Sequence, residues 1–231
     1  MPVADDPALR REISSFFWVA ALSLAGGCAL VAVRFVLTDR FFYFFLLWNL
    51  VLALVPYGIA VLLFKFSRLI RNRKNTAILA VLSLAWLVFY PNAPYIFTDF
   101  IHIVNRTFVR SGTDLVRKET LLWFDLVLCS AFAFMGHSAG LISIDLVLRS
   151  FKGVLRPSLA RTLVALAIIL AGVGIYIGRF VRFNSWDILL DPVGIAINTL
   201  PNLFDGPAVL LCSAFSSFIL ITYVVHHLSR R

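Results

Sequence analysis

The chain has 231 residues, of which 61% are apolar and only 14% are charged, whereas soluble domains are about 45–50% apolar and about 25% charged. A soluble domain of this size has one core, which could not hide so much apolar surface, so the composition excludes a water-soluble globule. The net charge of +9 occurs in nucleic-acid-binding domains, but here the basic residues form short clusters between apolar runs, as they do beside membrane spans. We therefore expect a lipid bilayer as the environment and no nucleic acid as a partner.

Six segments are apolar and long enough to cross the roughly 30 Å hydrocarbon layer as helices, which takes about 20 residues each. The first follows Arg10 and Arg11 and contains Ala25-Gly26-Gly27-Cys28, which is similar to a signal or lipoprotein cleavage site. Its apolar run continues to Leu37, further than a cleaved signal needs, so we predict an uncleaved first helix. The predicted fold is an all-α bundle of six transmembrane helices in a single membrane domain over residues 1–231. The predicted spans are 14–37, 41–64, 76–97, 121–148, 162–183 and 207–227.

The third span ends in a stretch that combines prolines with ionisable side chains, YPNAPYIFTDFIH at residues 90–102. Pro91 and Pro94 lack a donor N–H and disfavour helical geometry in the preceding residue. The helix before them is too short to cross alone, so we predict a turn within the membrane that lines a polar cavity. Beyond it, Asp99 and His102 are three residues apart and share a face if the segment is helical.

The fourth span begins with Trp123-Phe124-Asp125 and carries His137 near its middle. His137 lies one heptad beyond Ser130, on the same face, and we interpret it as a helix–helix hydrogen-bonding residue together with Ser130. Arg34, near the end of the first span, is expected either to extend to the lipid headgroups or to join the charges of the later spans.

The fifth span carries small residues at Ala167, Ala171, Gly174 and Gly178, which predict close helix packing and include a G-x-x-x-G motif. It ends in the stretch GRFVRFNSWD, in which Arg179 and Arg182 share a face. The connection over 184–206 is too polar and too broken by proline to span, and we expect it to lie along the outer interface. The apolar residues of this interfacial segment are Val193, Ile195, Ile197, Leu200, Leu203 and Phe204.

Counting bases predicts the orientation. If both termini lie in the cytoplasm, the cytoplasmic side holds the larger share of the 21 Lys and Arg residues, in agreement with the positive-inside rule. The ends of the third and fifth spans and the start of the fourth then meet at the extracytoplasmic face.

The stretches YPNAPYIFTDFIH, WFD and GRFVRFNSWD resemble those of a family of bacterial predicted multi-pass membrane proteins that is known only as a domain of unknown function. The likeness covers roughly residues 45–225. It implies a protein of the bacterial cytoplasmic membrane and supplies no activity.

The polar residues at the extracytoplasmic face allow two interpretations. In the first, Asp99, His102 and Asp125 are acid–base groups beside a pocket that binds or processes an anionic lipid-linked substrate, because paired guanidinium groups suit phosphate oxygens. The predicted substrate-binding residues are Asn92, Tyr95, Arg179, Arg182, Asn184, Trp186 and Asp187. In the second, the charges form ion pairs that orient the helices. Asp99 or Asp125 should then make at least one direct contact with Arg179 or Arg182, at about 2.7–2.9 Å.

Two other classes of function stay open. A transporter would need polar residues that continue to the inner face, where His137, Ser138 and Asp145 are available, and a scaffold would need fully paired charges and no cavity. The three cysteines form no C-x-x-C pair, and P-loop, zincin and serine-hydrolase motifs are absent, so we predict no cofactor and no metal. No oligomeric state is predicted.

Overall fold

A computed structural model gives the fold and describes residues 7–69, 73–103, 115–152 and 154–230. Over these residues the chain is helical, with one isolated β-bridge between Lys152 and Leu155. The α-helices are α1 (Pro7–Thr38), α2 (Phe44–Leu69), α3 (Arg73–Phe89), α4 (Asn92–Tyr95), α5 (Leu115–Ser150), α6 (Pro157–Tyr176), α7 (Asp187–Leu190), α8 (Pro192–Thr199) and α9 (Gly206–Ser229). A 3-10 helix, Ile96–Phe100, follows α4, and a π-helix, Ile177–Val181, follows α6.

Six helical segments are long and apolar enough to cross a membrane, which confirms the predicted number. They are Pro7–Thr38, Phe44–Arg68, Ala77–Ile103, Glu119–Ser150, Pro157–Val181 and Gly206–Ser229. The predicted boundaries were less accurate, because helices continue into polar residues of good helix propensity beyond the apolar stretch. The predicted second span also began three residues before the helix.

Helix α2 lies at the centre of the bundle and packs most extensively against α5, with α1 and α3 also beside it. Its buried side chains recur every three or four residues, at Leu46, Leu50, Ala53 and Tyr57, which is the spacing of one helix face. Pro56 lies inside α2 without ending it, because neighbouring helices cover the freed backbone group. Helices α6 and α9 form a second closely packed pair.

The outer surface of the bundle is apolar. Large apolar side chains on α1, α5 and α9 face away from the buried core. Four of them, Phe17, Trp18, Phe134 and Leu210, are between 64% and 72% exposed. In water, contiguous apolar surface of this kind would favour association or aggregation. Against lipid it has no such cost, so the chain is a multi-pass membrane protein.

Helices α1 and α5 run in opposite directions, as two side-chain contacts show. Arg34 near the end of α1 bonds to Asp125 near the start of α5, and Glu12 near the start of α1 bonds to Arg149 at the end of α5. We call the end of the bundle that holds Arg34 and Asp125 the cleft end, after the cleft described below, and the end that holds Arg149 the opposite end.

Candidate functional site

The cleft end contains a break in the third span. Helix α3 ends at Phe89, and a turn at Tyr90 and Pro91 precedes α4. Pro91 has no N–H to donate, so the hydrogen-bond ladder shifts: the N–H of Ala93 donates to the oxygen of Tyr90 at 3.1 Å, three residues back rather than four. The predicted interruption is confirmed. The chain stays helical through Ile103, so Asp99 and His102 lie on helical backbone.

Four glycines in two G-x-x-x-G motifs allow α4 to lie close to α5 and α6. On α5, a Cβ at Gly140 would come within 2.7 Å of the Cβ of Ala93, and one at Gly136 would come within 3.3 Å of the Ala93 oxygen. On the other side, a Cβ at Gly174 would come within 2.5 Å of Cγ of Pro91, and one at Gly178 within 3.1 Å of Tyr95. The predicted close packing of Gly174 and Gly178 is confirmed, and its partner is the broken segment. The matching pair on α5 was missed, although its spacing, Gly-His-Ser-Ala-Gly, could have revealed it.

A cleft of about 340 Å³ lies beside the break, between α2, α3, α4 and α6. The segment that follows the π-helix covers part of it. Apolar wall residues outnumber the polar ones, and the wall residues are Trp48, Asn49, Leu52, Leu87, Val88, Pro91, Asn92, Tyr95, Leu170, Val173, Gly174, Ile177, Gly178, Phe183, Asn184, Ser185, Ile188 and Ile195. Ile188 and Ile195 of the predicted interfacial segment therefore face the cleft, whereas Val193, Ile197 and Phe204 are exposed.

Asp99 lies beneath the cleft wall and is only 2% exposed. Its Oδ2 accepts a hydrogen bond from Nδ2 of Asn49 at 2.7 Å, and its Oδ1 lies 3.9 Å from Nη1 of Arg179. The pairing with Arg179 agrees with the predicted partner, but the distance is longer than the predicted hydrogen-bonded contact. Asn49 bridges the buried carboxylate and the cleft, and its signal in the sequence was a lone amide within an apolar span.

Asp125 pairs with Arg34, which was expected either to extend to the headgroups or to join these charges, and not with Arg179 or Arg182. Nε and Nη2 of Arg34 donate to the two carboxylate oxygens of Asp125, the second at 2.9 Å, in the two-pronged geometry that suits these groups. Both residues are buried, and the guanidinium carbon lies 5.6 Å from the ring centroid of Tyr43. The expectation that Asp99 and Asp125 share the arginines of the fifth span is wrong, because α1 and not α6 lies beside the start of α5 here.

The ring of His102 lies beside two phenylalanines near the start of α2. Its ring centroid lies 4.8 Å from that of Phe45 and 6.2 Å from that of Phe42. None of Asp99, His102 and Asp125 lies on the wall of the cleft. Nε2 of His137 forms a hydrogen bond with Oγ1 of Thr222 of α9, 2.7 Å away. Ser130 is exposed.

The predicted binding residues divide into two groups. Asn92, Tyr95 and Asn184 line the cleft, where Nδ2 of Asn92 donates to Oγ of Ser185 at 3.0 Å. The others lie outside its wall. Arg182 is exposed and ends the π-helix in left-handed conformation, with φ 65°, Trp186 is 37% exposed, and Asp187 accepts from the backbone N–H of Asn184 at 2.6 Å.

At the opposite end, Asp145 is buried and bonds to two side chains of α9. Its Oδ2 lies 3.2 Å from Nε2 of His226 and 3.1 Å from Nη1 of Arg230. Over the parts of the chain that the structure describes, no group of three His, Cys, Asp or Glu side chains lies close enough together to hold a metal ion.

Six membrane-length helices around a partly polar cleft define a multi-pass helical membrane protein of unknown activity. The chain belongs to the family described as protein of unknown function DUF1361, whose profile matches residues 48–223. This confirms the resemblance drawn from the three sequence stretches. The match contains the whole cleft wall and Asp125 but not α1, which supplies Arg34. No curated protein and no solved structure matches the chain.

Proposed function

We propose that the cleft binds a lipid-linked molecule, with its apolar wall against a hydrocarbon chain and its polar side chains against the headgroup. The observation that supports this most is the composition of the wall, which places three asparagines among leucine, valine and isoleucine side chains. Ligand pockets have this character, mostly apolar with a few placed polar groups, and they measure about 300–1,000 Å³. At about 340 Å³, the cleft suits a headgroup and the first part of a chain.

An anionic linkage such as a phosphate would meet Arg182 at the edge of the cleft. Arg182 is exposed and precedes Phe183, which lines the wall. Its guanidinium makes no ion pair with the residues that the structure describes, and this group suits phosphate oxygens in two-pronged geometry. Arg179 is less available, because Asp99 is beside it.

The proposed activity is binding, with Asp99 orienting Asn49 toward the ligand. Catalysis by Asp99, His102 and Asp125 would require a movement that brings them to one substrate atom, because none of them lines the cleft. We further propose that the cleft faces the extracytoplasmic leaflet of a bacterial cytoplasmic membrane, from the distribution of bases in the sequence.

Transport and scaffolding are the competing functions. A transport path would continue from the cleft past His137 and Asp145, and both of these bond to α9. The paired charges favour a structural role for the ion pairs, as a scaffold would have. A scaffold, however, does not need the cleft, so a bound ligand distinguishes the two.

Filling the cleft tests the proposal. Val173 on α6 lines it, and Val173→Phe should lower the amount of lipid retained after detergent extraction by about fivefold or more, since the larger ring occupies space that the ligand would fill and a loss of about 1 kcal/mol in binding is about fivefold. Native mass spectrometry measures the retained lipid. Leu163→Phe is the matched control, on the same helix but with a 46% exposed side chain, and should leave retention unchanged. Equal lipid retention in a folded Val173→Phe protein would rule out the cleft as the site.

A further inference from the structure

The three asparagines on the cleft wall differ from surface asparagines in how their amides are used. Nδ2 of Asn49 donates to Oδ2 of Asp99 at 2.7 Å. A carboxylate only accepts hydrogen bonds, so the NH₂ group of Asn49 must face Asp99. No N–H or O–H of the described residues donates to the carbonyl oxygen of Asn49, whose side chain forms part of the wall.

The other two asparagines repeat this arrangement. Nδ2 of Asn184 lies 3.4 Å from Oδ2 of Asp187, which also accepts the Asn184 backbone N–H at 2.6 Å. Nδ2 of Asn92 donates to Oγ of Ser185 at 3.0 Å. Each amide has thus used one N–H within the protein, and in the described part of the chain nothing donates to its oxygen.

The wall therefore offers unpaired acceptors, together with the uncharged donor groups of Trp48, Tyr95 and Ser185. Each asparagine keeps both lone pairs of its oxygen against one remaining N–H hydrogen. No Lys, Arg or His and no carboxylate lines the cleft among the residues that the structure describes. A bare anion placed there would meet only uncharged donors, and burying it without a compensating cation would be unfavourable. A hydroxyl or an ammonium group would find acceptors.

We infer that the cleft selects lipids whose headgroup donates hydrogen bonds, through the carbonyl oxygens of Asn49, Asn92 and Asn184. This inference rests on the proposed function and specifies its ligand: the part of the headgroup inside the cleft carries hydroxyl or ammonium hydrogens, and any phosphate stays outside, near Arg182. Leaving an oxygen without a donor at a site that water leaves on binding is costly, so headgroups without donors bind less well.

Two phospholipids test the hydrogen-bond donors of the headgroup separately from its charge. Phosphatidylethanolamine and phosphatidylcholine carry the same phosphate and the same net charge, but only the first has N–H hydrogens. In nanodiscs with equal amounts of both, native mass spectrometry should show phosphatidylethanolamine enriched about fivefold on the protein, as expected for one hydrogen bond of about 1 kcal/mol. Glucosyl diacylglycerol tests hydroxyl donors without a charge, and phosphatidic acid at alkaline pH, where its phosphate is a dianion, tests an anion that lacks these donors. Enrichment of either donor lipid over phosphatidylcholine supports the inference and shows which donor is used.

Variants connect the preference to the wall. Asn92→Leu and Asn184→Leu should each reduce the enrichment of phosphatidylethanolamine, so that the protein carries the two lipids in more nearly equal amounts. Asn184 is exposed, so its variant should fold even if Asn92→Leu does not. Asn198→Leu is the matched control, because the Asn198 amide bonds to the Gly194 oxygen within α8 and lies outside the wall.

The outcomes separate the inference from the proposed function. Lipid bound without preference, or with phosphatidic acid preferred, would overturn the inference and leave the binding function standing. No lipid bound in any nanodisc would overturn both.

Discussion

Arg34 and Asp125 bring two opposite charges into the buried part of a bundle that is otherwise apolar. Neither residue is more than 8% exposed. Removing a charge from water costs several kcal/mol, and the attraction within the pair offsets this only when its hydrogen bonds are well formed. Here both carboxylate oxygens accept from the guanidinium. The pair therefore fixes how α1 lies against α5 without necessarily adding much net stability.

This pair gives a prediction for single and double substitutions. Asp125→Leu alone should destabilise the protein by about 3–5 kcal/mol, because it leaves Arg34 buried and without its partner. The double substitution Arg34→Met with Asp125→Leu should cost clearly less. Thermal unfolding in detergent measures both.

A surface pair serves as the control for that cycle. Glu12 and Arg149 also form an ion pair, at 2.7 Å, but the Arg149 side chain is 47% exposed. Glu12→Gln should cost at most about 1 kcal/mol, the usual range for exposed pairs. A double variant as unstable as Asp125→Leu alone would contradict the interpretation of a costly unpaired charge.

At the scale of elements, the main feature is a short helix held between two longer ones. Helix α4 follows the break at Pro91, and its backbone lies close to α5 and α6 because four glycines leave space for it. Helix packing in membranes depends on such close contact, since lipid gives no hydrophobic drive between helices. The cleft lies beside α4, so the fit of α4 determines the position of Asn92 and Tyr95.

Adding one methyl group tests this packing. Gly174→Ala would place a Cβ 2.5 Å from Cγ and 2.8 Å from Cβ of Pro91, and neither atom can rotate away. We expect a loss of about 1–3 kcal/mol, the usual cost of overpacking. Gly26→Ala on α1 is the control, because nothing lies within 4 Å of its added Cβ. It should instead be neutral or stabilising by about 0.5–1 kcal/mol, from helix propensity. The same melting temperature in the two variants would show that α4 is not tightly held.

At the scale of the whole molecule, the prediction concerns the orientation of the protein in the membrane. More bases are expected on the cytoplasmic side. A reporter that works only in the cytoplasm should therefore be active when it is fused after residue 155, between α5 and α6. A reporter that works only outside the cytoplasm should be active when it is fused after residue 195, in α8 beside the cleft. The reverse pattern would place the cleft at the cytoplasmic face and change which leaflet supplies its ligand.

The sequence alone determined the features that depend on local chemistry. The number of spans follows from the length of each apolar run, and the break follows from Pro91, which has no N–H wherever the neighbouring helices lie. The three polar stretches were also enough to indicate the family. The need of Asp125 for a partner was predictable too, since an isolated charge in hydrocarbon is costly.

Only the tertiary structure decided which groups meet. Periodicity places a residue on a face of its own helix but does not say which helix lies beside that face. Asp125 therefore pairs with Arg34 of α1 instead of the arginines after α6, and the helix–helix hydrogen bond of His137 is made to Thr222 of α9. The cleft has the same origin, because its three asparagines come from α2, from α4 and from the segment after the π-helix. They line one cleft because glycines of α5, of α6 and of the π-helix let the broken segment lie close to these helices.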